Sequence, residues 1–307
     1  MFGVIEGTGF EVIEPEFEAC FIGHVRVERL FTGARWVEGP AWFAAGRYLL
    51  WSDIPNNRIL RFDDTDGSVT TFRAPSNNAN GHAVDRQGRL ISCEHLTRRV
   101  TRTEHDGRIT VVADTHQGKR LNSPNDVTVK SDGSIWFTDP SYGIMMDYEG
   151  DRAEEEVGGC HVYRVDPSGE ISIAADDYIK PNGLCFSPDE SLLYVADSGF
   201  THDPNGPRHI RRHEVLADGT LGVGEVYATA TEGIFDGFRA DRAGRLWTSA
   251  ADGVHCLNSQ GHLIGKVRIP EMVSNVCFGG AKLNRLFITG TSSLYSVFLN
   301  VNGVSPV

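Results

Sequence analysis

Short apolar segments alternate with polar turns along almost the whole chain, and one arrangement of them recurs about every 40 to 57 residues. Each copy opens on a polar residue, enters a brief apolar stretch, reverses at a tight turn and continues into a second apolar stretch that ends on a polar residue. The openings are Glu38 (EGPAWF), Asn80 (NGHAVD), Asn125 (NDVTVK), Asn182 (NGLCFS), Asp236 (DGFRAD) and Asn275 (NVCFGG). The turns that follow, RQGRL near Gly88, SDGSI near Gly133, PDESL near Glu190 and RAGRL near Gly244, suit the reversal of two antiparallel strands. After them come YLLWSD, RLISCEH, SIWFTD, LLYVAD, RLWTSA and RLFITG, rich in the aromatic and β-branched residues that fill a packed strand. Self-similarity at this period marks the blade of a propeller. Six second strands therefore predict an all-β fold, a six-bladed β-propeller.

The two ends of the chain fit that ring. Residues 26–31 (RVERLF) form a strand before the first opening, whereas the last copy stops soon after LYSVFL. The surplus matches the shortfall, so the N-terminal strand is expected to complete the last blade, closing the ring and removing exposed sheet edges. No linker or shift of composition divides the chain, and 1–307 reads as one domain in which 1–25 is an N-terminal extension. Two polar, Gly-rich stretches, 142–159 and 200–207, break the period. Both follow second strands, so both are expected to rise over the same face, as surface insertions or as a cover over substrate.

Composition narrows the function. Thirty-four glycines favour many turns over long helices. A formal charge of -12 without any basic run opposes binding to nucleic acid or to anionic membrane surfaces. Acidic residues at positions 6, 11, 14, 16 and 18 stand where a secretory signal would need a basic start and an apolar core, and a cytoplasmic location is expected. Cys20, Cys93, Cys160, Cys185, Cys256 and Cys277 are scattered and include no CxxC pair, which argues for buried, reduced thiols rather than a zinc knuckle or a disulfide scaffold.

In a propeller the first strand of each blade lines the channel, so the six openings gather around the axis at one mouth. Any single Asn or Asp before Gly signals a turn; six polar openings at equivalent positions point to a shared site. Two carboxylates and four amides form a hard oxygen set that favours Ca²⁺, with Mg²⁺ or Mn²⁺ next and a loosely held Zn²⁺ still compatible. Ordered water is the alternative occupant. The ends of the second strands return to that mouth and add Asp53, Glu94, His95, Asp139 and Asp197. His95 could exchange a proton near neutral pH, and the acids could equally tie loops through backbone N–H groups. No GxSxG elbow, phosphate-cradling glycine loop or HExxH is present.

EGPAW at Glu38, NSPND around Asn125, FTDPSYG around Asp139, PNGL at Asn182 and FDGF at Asp236 together resemble the SMP-30/gluconolactonase/luciferin-regenerating family. The wording RLNSPNDVTVKSDGSIWFTDPSYG is nearest to its bacterial gluconolactonase-like members. That resemblance implies one catalytic divalent metal on the axis, held by Glu38, Asn125, Asn182 and Asp236; Asp236 is then expected to act also as the general base toward water. It implies a small-molecule sugar lactone as substrate, opened to an aldonic acid. Asn80 and Asn275 fall outside the implied metal set, and Asn80 is placed near substrate. Animal members carry an arginine where this chain has Ser123, so His82, His95 and Tyr142 are taken as substitute substrate contacts. An organophosphate or other-lactone hydrolase on the same scaffold and a non-catalytic ligand-binding propeller stay open, as do monomer and homodimer.

Overall fold

Each repeat becomes an antiparallel sheet in a computed structural model of the chain, which describes residues 5–304. The inner strands are Val37–Phe43, Ala79–Val84, Val127–Val129, Pro181–Phe186, Phe238–Ala240 and Val273–Gly279. The second strands are Tyr48–Asp53, Leu90–Glu94, Ile135–Asp139, Leu192–Asp197, Leu246–Ala250 and Arg285–Gly290. These six pairs found six sheets, hereafter blades 1 to 6, and the fold is a six-bladed β-propeller. Second strands are buried nearly throughout, because both their faces pack on neighbouring blades; Trp51, Trp136 and Trp247 in blades 1, 3 and 5 are fully enclosed.

The turns after the inner strands place a residue in the left-handed region at one repeated point. Gly88, Gly133 and Gly244 have φ near +80 to +90, and Glu190 has φ +57. Glycine takes that conformation freely, whereas an L side chain is strained there by roughly 1 kcal/mol. Glu190 is held by its own carboxylate, which accepts from the Ser131 N–H at 2.8 Å in the neighbouring blade.

Ring closure follows the expected route. Glu28–Thr32 pairs with Ser293–Phe298 as the outermost strand of blade 6, Glu28 facing Ser296. The N-terminal extension is docked as well: Gly9–Val12 adds a fifth strand to blade 5 against Leu263–Arg268. The following turn, Pro15–Cys20, drives Phe17 and Cys20 into the core shared by blades 5 and 6. All six cysteines are unpaired and buried. Among the described residues no helix is long and apolar enough to cross a membrane.

The acids that end the second strands are clasps. Asp139 takes the Asn122 and Ser123 N–H groups, each at 2.8 Å, and Asp197 takes those of Ile179 and Lys180, each at 2.9 Å. Asp53 accepts from the Arg35 N–H at 3.1 Å and pairs with Arg58 at 2.8 Å. Glu94 binds Asn77 and Arg99. Each clasp stiffens the loop that delivers an inner strand to the channel. Replacing Asp139 by Ala leaves two buried N–H groups without acceptors and should lower the unfolding free energy by about 2–5 kcal/mol; an unchanged urea midpoint would show that the clasp carries no stability.

Candidate active site at one mouth of the channel

Glu38, Asn80, Asn125, Asn182 and Asp236 line one cavity of about 430 Å³ at the mouth where the inner strands begin. Glycine makes their convergence possible. Gly39, Gly81, Gly183 and Gly237 directly follow four of these residues, and a Cβ on each would overlap the corresponding residue of the next blade: the carbonyls of Asn80, Asn125 and Asp236, and the Asn275 side chain. Of these four glycines only Gly39 has a positive φ, so the requirement is room for the neighbouring backbone rather than a turn. Blade-to-blade hydrogen bonds use that closeness: Gly81 N–H to Asn125 O (2.8 Å), Gly183 N–H to Asp236 O (3.0 Å) and Gly237 N–H to Ser274 O (2.7 Å).

The side chains are oriented from behind. Glu38 Oε2 accepts from the Gly39 N–H at 2.6 Å and from Asn275 Nδ2 at 3.0 Å. Asn80 Nδ2 meets His95 Nε2 at 3.2 Å, and Asn182 Nδ2 donates to Ser198 Oγ at 3.3 Å. With those partners engaged, Glu38 Oε1, Asn80 Oδ1 and Asn182 Oδ1 are buried and have no donor. A buried polar atom without a partner costs free energy, and three such oxygens in one cavity suit a cation or ordered water.

Charge agrees. Burial, repulsion from Glu38, Asp126 and Glu149 all push the Asp236 carboxyl well above the usual range. Burial, then Asp126, raises Glu38 against the hydrogen bond from Asn275. Burial alone lifts Glu149 to about 7. The donors are carboxylates and amides, and no group of three or more His, Cys, Asp or Glu gathers as a metal cluster among the described residues. Two carboxylates with amide oxygens fit a hard divalent cation.

The substitute substrate contacts divide. Tyr142 lines the cavity, its hydroxyl 3.1 Å from Thr201 Oγ1. His95 is fully buried behind Asn80; its Nδ1 lies 3.1 Å from the Glu149 carbonyl, and burial holds it neutral with a pKa pushed down to about 4. It positions Asn80 instead of facing the cavity. His82 does not join the site: its nitrogens contact Ser52 Oγ at 2.8 Å and Ser92 Oγ at 2.9 Å, and it lines a different cavity. The reason is register, since two residues along a strand move a side chain about 6–7 Å down the channel. Asp53, Glu94, Asp139 and Asp197 stand near the mouth but spend their oxygens on the clasps.

Ser123 has a definite task. Its hydroxyl donates to the Pro140 carbonyl at 2.6 Å and accepts from the Gly143 N–H at 2.9 Å. It is fully buried. It thereby sets the start of the 142–159 segment, which is fastened further by Arg98 to Glu156 at 3.2 Å and by Asn122 Nδ2 to the Gly159 carbonyl at 2.9 Å. That segment brings in Glu149, which lines the cavity together with Trp36, His202 and Met272. None of these four lies in the repeat; the one signal for Glu149 was its place in an acidic insertion over this face.

Fold and site define a six-bladed propeller with an oxygen-donor centre at one mouth of its channel. The chain belongs to the family described as SMP-30/gluconolactonase/LRE-like region, whose model matches residues 36–292. It is 30% identical to the gluconolactonase of Zymomonas mobilis over 92% of this chain and 84% of that protein. It is 28% identical to a 6-deoxy-6-sulfogluconolactonase of Pseudomonas putida, over 83% of this chain and 82% of the relative. A solved gluconolactonase structure from Xanthomonas campestris aligns with a TM-score of 0.89 at 39% identity, covering 96% of this chain and 95% of that one.

The glycine contacts can be tested in isolation. Gly183→Ala should lower the unfolding free energy by about 1–3 kcal/mol through overpacking. Gly23→Ala, where a Cβ meets nothing within 4 Å, should stay within about 0.5 kcal/mol of the parent. Equal denaturation midpoints for the two variants would show that blade spacing does not depend on glycine.

Proposed function

We propose that the protein hydrolyses sugar lactones to aldonic acids, with a divalent cation held by Glu38, Asn125, Asn182 and Asp236. The observation that carries this is the meeting of donorless buried oxygens from separate blades beside Asp236, in a chain whose relatives include named sugar lactonases. A bound cation, Ca²⁺ by its liking for such oxygens or else Mg²⁺, Mn²⁺ or Zn²⁺, supplies Lewis-acid polarisation of the lactone carbonyl.

The side chains do the rest. Asp236, charged once its neighbours are neutralised, takes a proton from the water that attacks the carbonyl carbon. The carbonyl carbon to ring-oxygen bond then breaks, and the ring oxygen leaves with a proton as a hydroxyl, giving the open acid. Asn275 and the Gly39 N–H hold Glu38 in one rotamer, so the geometry does not have to be assembled at the moment of reaction. Asn80, backed by His95, offers an amide to substrate hydroxyls. Tyr142 and Trp36 wall a cavity large enough for a monosaccharide lactone. Six unpaired cysteines suit a reducing cytoplasm.

Two outcomes are expected. Asp236→Ala should reduce acid release from D-glucono-1,5-lactone by about 10²–10⁴-fold while the far-UV spectrum stays that of a β protein; near-parental turnover in a metal-loaded variant would remove Asp236 from the mechanism. Chelation should abolish acid release across an aldonolactone panel, and adding back Ca²⁺, Mg²⁺, Mn²⁺ or Zn²⁺ separately should restore it. Preferential hydrolysis of a phosphotriester in parallel assays would assign the scaffold to a different substrate class, and activity indifferent to chelation would overturn the metal.

A further inference from the structure

The opposite end of the channel holds a second cavity of about 390 Å³, where the inner strands finish, and it shares no lining residue with the first. Trp42, Phe186 and Phe278 supply apolar walls. Arg239 lines it from within the channel, three residues along the chain from Asp236, with its side chain 21% exposed. Its Nη1 is occupied, donating to the Phe238 carbonyl at 2.7 Å and lying 3.5 Å from Asp126 Oδ2. Among the described residues Nε and Nη2 have no hydrogen-bond partner. Arg86, exposed on the wall, forms no ion pair among those residues either.

Most other polar groups of the cavity are already committed, the Thr128 hydroxyl and the buried Trp42 Nε1 being without a partner among the described residues. Asp189 holds Ser187 Oγ at 2.6 Å and the Ser191 N–H at 3.1 Å; Glu190 holds the Ser131 N–H and lies 3.4 Å from Lys130 Nζ. His82 is bracketed by two serines. Cys185 and Cys277 are neutral thiols, burial pushing them up to about 12 and about 11. The surplus charged donor capacity deep in the cavity is therefore that of a half-used guanidinium at the base of a mainly apolar chamber. A planar carboxylate matches two free guanidinium N–H groups, and the volume and walls suit a compact hydrophobic body.

We propose that this second cavity binds a small monocarboxylic acid with an aromatic or similarly apolar body, its carboxylate on Arg239. Polyhydroxylated acids are disfavoured, because most of their hydroxyls would lose water against the faces of Trp42, Phe186 and Phe278.

Calorimetric titration of the intact protein with benzoate should show one site, with benzyl alcohol and gluconate each binding at least tenfold more weakly. Arg239→Met should weaken benzoate at least tenfold and Arg86→Ala by about threefold. If Arg239→Met does not fold, Arg239→Lys, which keeps the charge and loses the fork, should weaken it at least threefold. Affinity should be the same before and after chelation, since the metal site occupies the other mouth. Absence of benzoate binding, equal affinity for benzyl alcohol or gluconate, indifference to substitution at Arg239, or loss of binding with chelator would each overturn the assignment, and none of these results bears on lactone hydrolysis.

Discussion

Glu38, Asp126 and Asp236 repel one another around one end of a channel, and Arg239 is the cation that tempers Asp126 from the far side. Keeping carboxylates together out of water is costly, and a scaffold free to relax would swing them into solvent. The rest of the molecule prevents that. In blades 1, 2, 4 and 5 the inner strand leans on the next through a glycine, and each preceding loop in blades 1 to 4 is clasped by the acid that ends the second strand. The donors come from separate blades, so no single blade can release the repulsion without opening the ring.

The same rigidity extends to the rim. The 142–159 segment is anchored at Ser123, His95, Arg98 and Asn122, which ties it to the blades at four points. Its anchors also link the pocket wall to the pocket floor, since His95 touches both the Glu149 carbonyl and the Asn80 amide. Part of the cavity wall is thus supplied by residues that lie outside the repeat, on a frame that the repeat positions.

The blades were legible because period and burial have one cause: strands packed on both faces must be apolar, and the turns between them need particular backbone angles. Second strands and openings fell within a residue or two of their expected places. Asn–Gly and Asp–Gly pairs, which in isolation signal turns, proved to be contact points between blades, because whether a glycine serves its own φ or a neighbour's carbonyl depends on what lies across the gap. His82 was misplaced by two residues of strand register, and Glu149 was invisible because an insertion's path depends on distant anchors. The fifth strand on blade 5 escaped notice for the same reason: Gly9–Val12 and Leu263–Arg268 carry no mutual mark in the sequence.

Closure of blade 6 has a consequence for biogenesis. Glu28 pairs with Ser296, so the Glu28–Thr32 strand waits for a partner synthesised 268 residues later, on the order of tens of seconds at ordinary elongation rates. Through that interval the nascent chain presents an unpaired edge of ERLFT, a segment with charge at its start and only a short apolar run. Brevity and charge there limit stray pairing with other chains, and they guard the protein at the stage of synthesis when its ring is still open.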